Sequence, residues 1–384
     1  MTPSDVSFLR RAFRLAMNGR GRVEPNPMVG CVLVRDGQVI GEGWHTHFGG
    51  PHAEPSALAD CAARGNDPRG ATAYVTLEPC CHTNKKTPPC APRVIQAGIT
   101  RVVIGCLDPN PAVNGNGVTM LRAAGIHVDG PALEGEAKQL IAPFLAKVNH
   151  GRPYVTLKWA ETADGKIAGP GGKRMQISGE ASSRLVHQLR ARSDAIVIGS
   201  RTMRADDPTL TARGVDPRRP LLRVVLASEG VEPGGNLLRT AGEGPVLLYV
   251  PNTASDVPVG GAKLGDPGVE TIRVPASPSG RVALETVVRD LSQRGAAHVM
   301  VEPGARLAAG FFQAGLADRV WVFRSPRRLD DPTAPAATSV PDHYVKTGEL
   351  RVGDDVLSEY LNPQSDAFHA AVASADLVLA GEGL

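Results

Sequence analysis

The sequence predicts two α/β domains in series, meeting near residue 150. Three observations carry this. The chain has 384 residues, more than the roughly 100–200 of an ordinary single domain. Strand-like apolar runs alternate with helix-period stretches in both halves, the signature of layered α/β folds. Gly151 and Pro153 break the pattern just where it restarts.

In the first half, Val6, Leu9, Ala12 and Leu15 recur at helical spacing over 5–18. Apolar runs at 28–34 and 38–43 flank Asp36-Gly37 and read as a hairpin. A helix extends from His52-Ala53-Glu54 to about Arg64. Residues 73–77 and 101–105 read as buried strands, each preceded by a helix, and one helical stretch follows over 133–149. In the second half, 154–160 is a strand, 180–192 a helix and 195–199 a strand. Further strands are expected at 222–227, 246–250 and 298–302. Residues 228–281, rich in Gly and Pro, read as loops around short strands. The pattern fades beyond about 325, with a closing helix expected over 366–379.

Composition narrows the function. The 42% hydrophobic and 21% charged residues suit a soluble globular protein. The 42 basic residues nearly balance the 39 acidic ones, giving a formal charge of +3. Aromatics are only 4%. A nucleic-acid binder wants a basic face and stacking aromatics, so that class is disfavoured. The N-terminus mixes charges into its apolar positions and lacks the core of a signal peptide, and no run is long enough to span a membrane. A cytoplasmic protein is expected, with no membrane partner. Of six cysteines, Cys80, Cys81 and Cys90 crowd one segment, which in a reducing compartment points to metal or catalysis. Cys31, Cys61 and Cys106 sit in apolar contexts and read as core.

A zinc deaminase needs three protein ligands, an open fourth position and a proton shuttle that is not a ligand. His52-Ala53-Glu54 followed by Pro79-Cys80 matches the His-x-Glu and Pro-Cys halves of that signature. The second thiolate, Cys90, follows after a longer loop, CHTNKKTPPC. The expected ligands are His52, Cys80 and Cys90, with Glu54 as shuttle. Cys80 is preferred over Cys81 because it follows Glu78-Pro79, and it is expected near a helix start whose dipole favours thiolate. A structural zinc knot using His82 is the competing reading of the cysteines alone.

The stretches NPMVGCV, PHAEPSAL, TLEPCCHTNKKTPPC and DPNPAVNGNG resemble the bifunctional deaminase–reductase family of bacterial riboflavin biosynthesis. PYVTLKWAETADGKIA, DAIVIGSRTMRADDPTLTAR and HVMVEPGARLAAGFF resemble its reductase half in order, so the likeness covers roughly residues 5 to 325. The resemblance implies a cytidine-deaminase-like three-layer domain over 1–150 and a dihydrofolate-reductase-like domain over 151–384, with 326–384 an atypical tail. It implies that Asn26, His45, His82 and Lys86 contact the deaminase substrate. It places Ala160, Thr202, Asp206 and Gly304 at NADPH, and Arg190, Leu210, Arg213 and Glu302 at the reductase substrate. The activity implied is zinc-dependent deamination of 2,5-diamino-6-(5-phosphoribosylamino)pyrimidin-4-one, then NADPH-dependent reduction of the ribosyl group to a ribityl chain. The expected cofactors are Zn2+ and NADPH, the expected partner a small phosphoribosylated pyrimidine, and the expected state a homo-oligomer.

The chain departs from the family pattern mainly on the reductase side. Gln176-Ile177-Ser178-Gly179 replaces Trp-Ile-Thr-Ser, removing an aromatic wall over the cofactor. Glu302-Pro303-Gly304 replaces Glu-Gly-Gly, and proline has no N–H to offer a phosphate. Ser325-Pro326-Arg327-Arg328 stands where a Gly-Gly motif is usual, and Asn116 where a basic residue is common. Arg174 and Arg184 lie close enough in sequence to the altered segment to supply a replacement phosphate contact. A deaminase with a degenerate reductase domain is therefore the alternative reading.

Overall fold

A computed structural model describes residues 1–83, 87–215, 220–228, 235–253 and 268–369. The chain divides into two units, Met1–His150 and Gly151–Leu384.

In the first unit, Thr2 and Asp5 form a reciprocal capping box that starts α1 (Pro3–Met17). β1 (Gly30–Arg35) and β2 (Gln38–Trp44) pair as the expected hairpin. Asp36 and Gly37 both take positive φ, 51° and 76°, as a two-residue type I′ turn requires. Then follow α2 (Ala53–Ala63), β3 (Thr72–Leu77), α3 (Cys90–Gln96), β4 (Arg101–Cys106), α4 (Asn116–Ala123) and β5 (His127–Asp129). The single helix expected over 133–149 is two, α5 (Glu134–Leu140) and α6 (Ala142–His150), because Ile141 leaves helical geometry at φ −103°. The sheet order is β2-β1-β3-β4-β5, antiparallel about β1 and parallel from β3 to β5. Gly43 lets β2 lie directly on α2, since a Cβ there would come within 2.3 Å of the Ala57 nitrogen. Cys31, Cys61 and Cys106 are buried, as their contexts predict.

The second unit runs β6 (Tyr154–Glu161), α7 (Glu180–Arg192), β7 (Ala195–Gly199), α8 (Ser200–Asp206), β8 (Leu222–Leu226), α9 (Asn236–Arg239), β9 (Val246–Pro251) and β10 (Val269–Val274). It continues α10 (Leu284–Gln293), β11 (His298–Val301), α11 (Ala305–Gln313), β12 (Arg319–Arg324), β13 (Val345–Val352) and β14 (Asp355–Leu361). Nine strands form one sheet in the order β10-β9-β8-β7-β11-β6-β12-β14-β13. The strands from β10 to β12 are parallel, and β14 pairs antiparallel with both β12 and β13. The stretch beyond 325 thus supplies a hairpin that extends the sheet of the second unit. It also caps a helix. Asp355 Oδ2 accepts from Gly179 N at 2.7 Å and Ser182 Oγ at 2.6 Å, satisfying the N–H of the N-cap residue as an N3 carboxylate does in a capping box. Of the closing helix expected over 366–379, residues 366–369 are not helical and 370–379 lie outside the described residues.

Candidate active sites

The first site forms where β3 ends and two helices begin. His52 is the N-cap of α2 and Glu54 lies in its first turn, so the two side chains leave the backbone at different angles. Cys90 is the first residue of α3. The expectation that Cys80 sits at a helix start is corrected. Cys80 lies in the coil after β3, and its carbonyl accepts from Cys90 N and Ala91 N at 2.9 and 3.1 Å, tying that coil to the start of α3. The helix dipole therefore favours thiolate at Cys90.

His52 Nδ1 lies 3.6 Å from Cys80 Sγ and 3.5 Å from Cys90 Sγ. Zinc bonds of roughly 2.0–2.1 Å to nitrogen and ~2.3 Å to sulfur, at tetrahedral angles, give an N···S edge of about 3.6 Å. The three donors thus stand where zinc needs them, and two soft thiolates with one imidazole suit that ion. Among the described residues this is the one cluster of three such donors, with all ligand atoms within 4.8 Å of one another. Cys81 lies outside it and points its Sγ at the Ala112 carbonyl.

Glu54 is buried at this corner. Burial pushes its carboxyl up, the Cys80 sulfur adds to the push, and His52 opposes it. The His45 ring lies 5.2 Å from that of His52, tilted by 56°. Its Nδ1 donates to the Pro51 carbonyl at 2.9 Å, which leaves Nε2 to accept from Asn26 Nδ2 at 3.1 Å. Asn26 and His45 therefore orient each other, and the Asn26 amide oxygen is left for other partners. His82 keeps a buried Nδ1 with no hydrogen-bond partner, as a ligand-facing group would. Lys86 lies outside the described residues.

The second site lies at the carboxyl ends of parallel strands, where open α/β sheets bind ligands. β11 runs between β6 and β7, so Ala160 near the end of β6, α8 following β7 and Gly304 just past β11 share one sheet edge. Arg190 of α7 forks onto Glu302 with Nε–Oε1 and Nη2–Oε2 bonds of 2.6 and 2.7 Å. Burial works to raise the Glu302 carboxyl, but Arg190 and Lys158 overcome it and hold it down at about 2. Arg190 also donates to the Thr211 carbonyl at 3.2 Å, fixing the loop that carries Leu210 and Arg213. Leu210 is buried with φ at +52°, a conformation leucine rarely adopts. Arg213 is exposed and meets His187 through its backbone N and its Nε, at 3.1 and 3.3 Å. Burial, Arg190 and Arg213 all push the His187 imidazole down, which favours the neutral ring that can accept such a bond.

Thr202 and Asp206 both lie on α8. Burial raises the Asp206 carboxyl and Arg174 opposes that rise. Gln176 is exposed, with its carbonyl accepting from Arg327 Nη1 at 3.0 Å. Pro303 is buried just before Gly304, the N-cap of α11, so the donors of the helix start at Gly304, Ala305 and Arg306 follow it.

Sequence reasoning passed over three residues near these sites. Thr87 reaches His52 Nε2 at 3.2 Å. His187 meets Arg213. Lys158 of β6 is pushed down by burial, stands near Glu302 and Arg190, and lies 5.6 Å over the Phe323 ring. Only Lys158 left a signal: an ionisable side chain inside an otherwise apolar strand.

Residues 2–106 match the family model of the cytidine and deoxycytidylate deaminase zinc-binding region, and residues 153–342 match that of the RibD C-terminal domain. Riboflavin biosynthesis protein RibD of Aquifex aeolicus is 37% identical over 327 residues, which cover 85% of this chain and 88% of that protein. The chain belongs to the RibD family. It carries both RibD activities' domains, a deaminase domain followed by a reductase domain, and is an enzyme of riboflavin biosynthesis. RibD of Escherichia coli is likewise 37% identical, over 92% of this chain and 98% of its own. The structure is similar, at a TM-score of 0.80 and 36% identity, to a Thermotoga maritima diaminohydroxyphosphoribosylaminopyrimidine deaminase/5-amino-6-(5-phosphoribosylamino)uracil reductase. That likeness covers 94% of this chain and 99% of the other. The RibD fold expected in each half is thus the fold observed.

Proposed function

We propose that this chain deaminates 2,5-diamino-6-(5-phosphoribosylamino)pyrimidin-4-one at the His52–Cys80–Cys90 corner and then reduces the ribosyl group of the product at the Arg190–Glu302 corner. The donor triangle around His52 Nδ1, with edges that match tetrahedral zinc, carries this reading. Zinc held there supplies Lewis acidity to the attacking water. Glu54 is not among the donors. It takes a proton from that water as oxygen adds to the ring carbon, and delivers a proton to the departing amine, so that ammonia leaves. Asn26, His45 and His82 border the same corner and hold the pyrimidine.

In the second unit, NADPH supplies the hydride. The Gly304 end of α11 and the α8 residues Thr202 and Asp206 hold the cofactor, with Ala160 beside them. Arg190 and Lys158 set two cations against the single carboxylate of Glu302, with Arg213 held on His187 in the neighbouring loop, a balance that suits a phosphorylated substrate. Glu302 keeps Arg190 aimed and Leu210 packs the wall. Among the described residues no helix is long and apolar enough to cross a membrane. The free cysteines and near-balanced charge support a cytoplasmic enzyme acting on a small molecule rather than on nucleic acid.

A coupled assay tests the whole reading. With the diaminopyrimidine substrate, ammonia release should need no NADPH, and NADPH oxidation should follow it in the same mixture. Ammonia release with no NADPH oxidation would leave a deaminase alone. Absence of both would overturn the proposal.

A further inference from the structure

We propose that Thr87 is a positioning residue for the metal centre. Its hydroxyl accepts the Nε2 proton of His52 and fixes the tautomer whose Nδ1 is bare and able to ligate. This rests on the ligand set proposed above.

The argument starts from proton counting. His52 Nδ1 faces both sulfurs, at 3.5 and 3.6 Å, and a nitrogen that bonds a metal carries no proton. The single proton of the neutral ring must then sit on Nε2. Thr87 Oγ1 is there, 3.2 Å away, with lone pairs to receive it. The ring is thereby fixed on three sides: the sulfurs at Nδ1, Thr87 at Nε2 and the His45 ring beside its face. Ligating histidines commonly give their second N–H to such an acceptor, which sets ring orientation and raises ligand basicity.

The local chain explains how Thr87 arrives. Pro88 and Pro89 follow it, and Pro89 is the N-cap of α3 with φ −63° and ψ 148°. Two fixed φ angles between Thr87 and Cys90 make a stiff strut, so the hydroxyl and the Cys90 thiolate approach His52 as one piece. The Cys80–Cys90 loop thus does more than space two ligands. It returns to hold the third.

The test uses the full-length protein and zinc ion itself. Zinc affinity, measured by competition with a chelator, should fall about 10–100-fold in Thr87→Val, which keeps the shape and loses the hydroxyl. Thr87→Ser should restore affinity to within about 3-fold of the unaltered protein, since an acceptor behind a ligating imidazole needs only its oxygen. Thermal unfolding of the metal-free forms should be unchanged, which separates this role from general packing. Nitrogen-15 NMR of the zinc-loaded unaltered protein should place the His52 ring proton on Nε2, protected from exchange. Wild-type affinity in Thr87→Val, Thr87→Ser as weak as Thr87→Val, or a ring proton on Nδ1 would each overturn the proposal. Exchange of that proton decides the matter even if Thr87→Val does not fold: rapid exchange with solvent in the unaltered protein would mean that Thr87 does not hold it, and would overturn the proposal. Full zinc retention in Cys80→Ser would instead strike at the ligand set, so the two failures are told apart.

Discussion

The zinc corner and the reductase corner solve the same problem, holding charged groups out of water, in opposite ways. At the zinc corner the donors lie within one stretch of chain, Cys90 only 38 positions from His52, and Cys80 and Cys90 are buried. A zinc ion held there would dictate the geometry, and its bond lengths leave little freedom. At the reductase corner Arg190 and Glu302 are 112 positions apart, Arg190 arriving on helix α7 and Glu302 just past the end of β11. Their positions follow from helix and strand packing, and the pair is closed by its own two hydrogen bonds. A site defined by coordination tolerates little substitution. A site assembled by packing can lose a wall and keep its charged centre.

The largest effects should fall on the zinc side and leave the other side intact. Cys80→Ser should lose zinc and deamination together, and Glu54→Gln should keep zinc while deamination drops by ~10²–10⁴. In both variants, NADPH oxidation with the deaminated product supplied directly should continue at the rate of the unaltered protein. Metal analysis with the two separate assays checks this, and a parallel loss of reduction would show that the corners are not independent.

A smaller but still large effect is expected at Glu302. Glu302→Gln leaves Arg190 without its partner in a mostly buried setting, a change that costs roughly 3–5 kcal/mol where a pair is well buried. The pH dependence has a definite sign. The Glu302 carboxyl is depressed from 4.5 to about 2, so its contribution is complete above the ordinary value and is lost as pH falls from 4.5 toward 2. Acid unfolding curves should show that loss in the unaltered protein and a flatter course in Glu302→Gln. Identical curves would mean the pair contributes nothing to the fold.

Cofactor affinity comes next. NADPH should bind, but Gln176→Trp should tighten it by about 10-fold, the equivalent of ~1.4 kcal/mol for covering an aromatic face. Pro303→Gly should add a lesser gain, because the helix-start donors of α11 lie beyond Pro303. Titration of the three proteins checks the order. A last effect, on stability alone, concerns the start of helix α7. Asp355→Ala removes the cap of α7 and should lower stability by about 1–2 kcal/mol, read from thermal or denaturant unfolding.

The two corners were also unequally legible in the sequence. His52, Cys80 and Cys90 could be grouped from residue type and order, because few side chains bind zinc and their spacing is local, and the structure brings their donor atoms together. Thr87 could not, since a threonine hydroxyl serves equally well on any surface. The hairpin of β13 and β14 was obscured because its outer strand, VKTGELRV, lies at the sheet edge and alternates charges with little apolar burial. Helix α4 hid behind Gly115, Asn116 and Gly117, residues that read as a turn. Gly115 does adopt φ +79°, but as the N-cap of the helix. The break between α5 and α6 at Ile141 did carry a signal, Pro143 in the first turn of α6, where a proline starts a helix rather than continuing one.

Glu78, two residues before Cys80, accepts backbone N–H groups from Asp108, Gly115 and Val118 at 3.2, 3.0 and 3.0 Å. Gly117 is needed beside it, because a Cβ there would stand 2.1 Å from the Pro79 carbonyl oxygen. One carboxylate thus clasps the loop after β4 and the start of α4 to the strand end that presents a metal ligand. The three amide hydrogens should therefore exchange with solvent as a single cooperative event rather than one by one. Their shared opening rate would report how often the metal corner loosens, without any probe touching the metal itself.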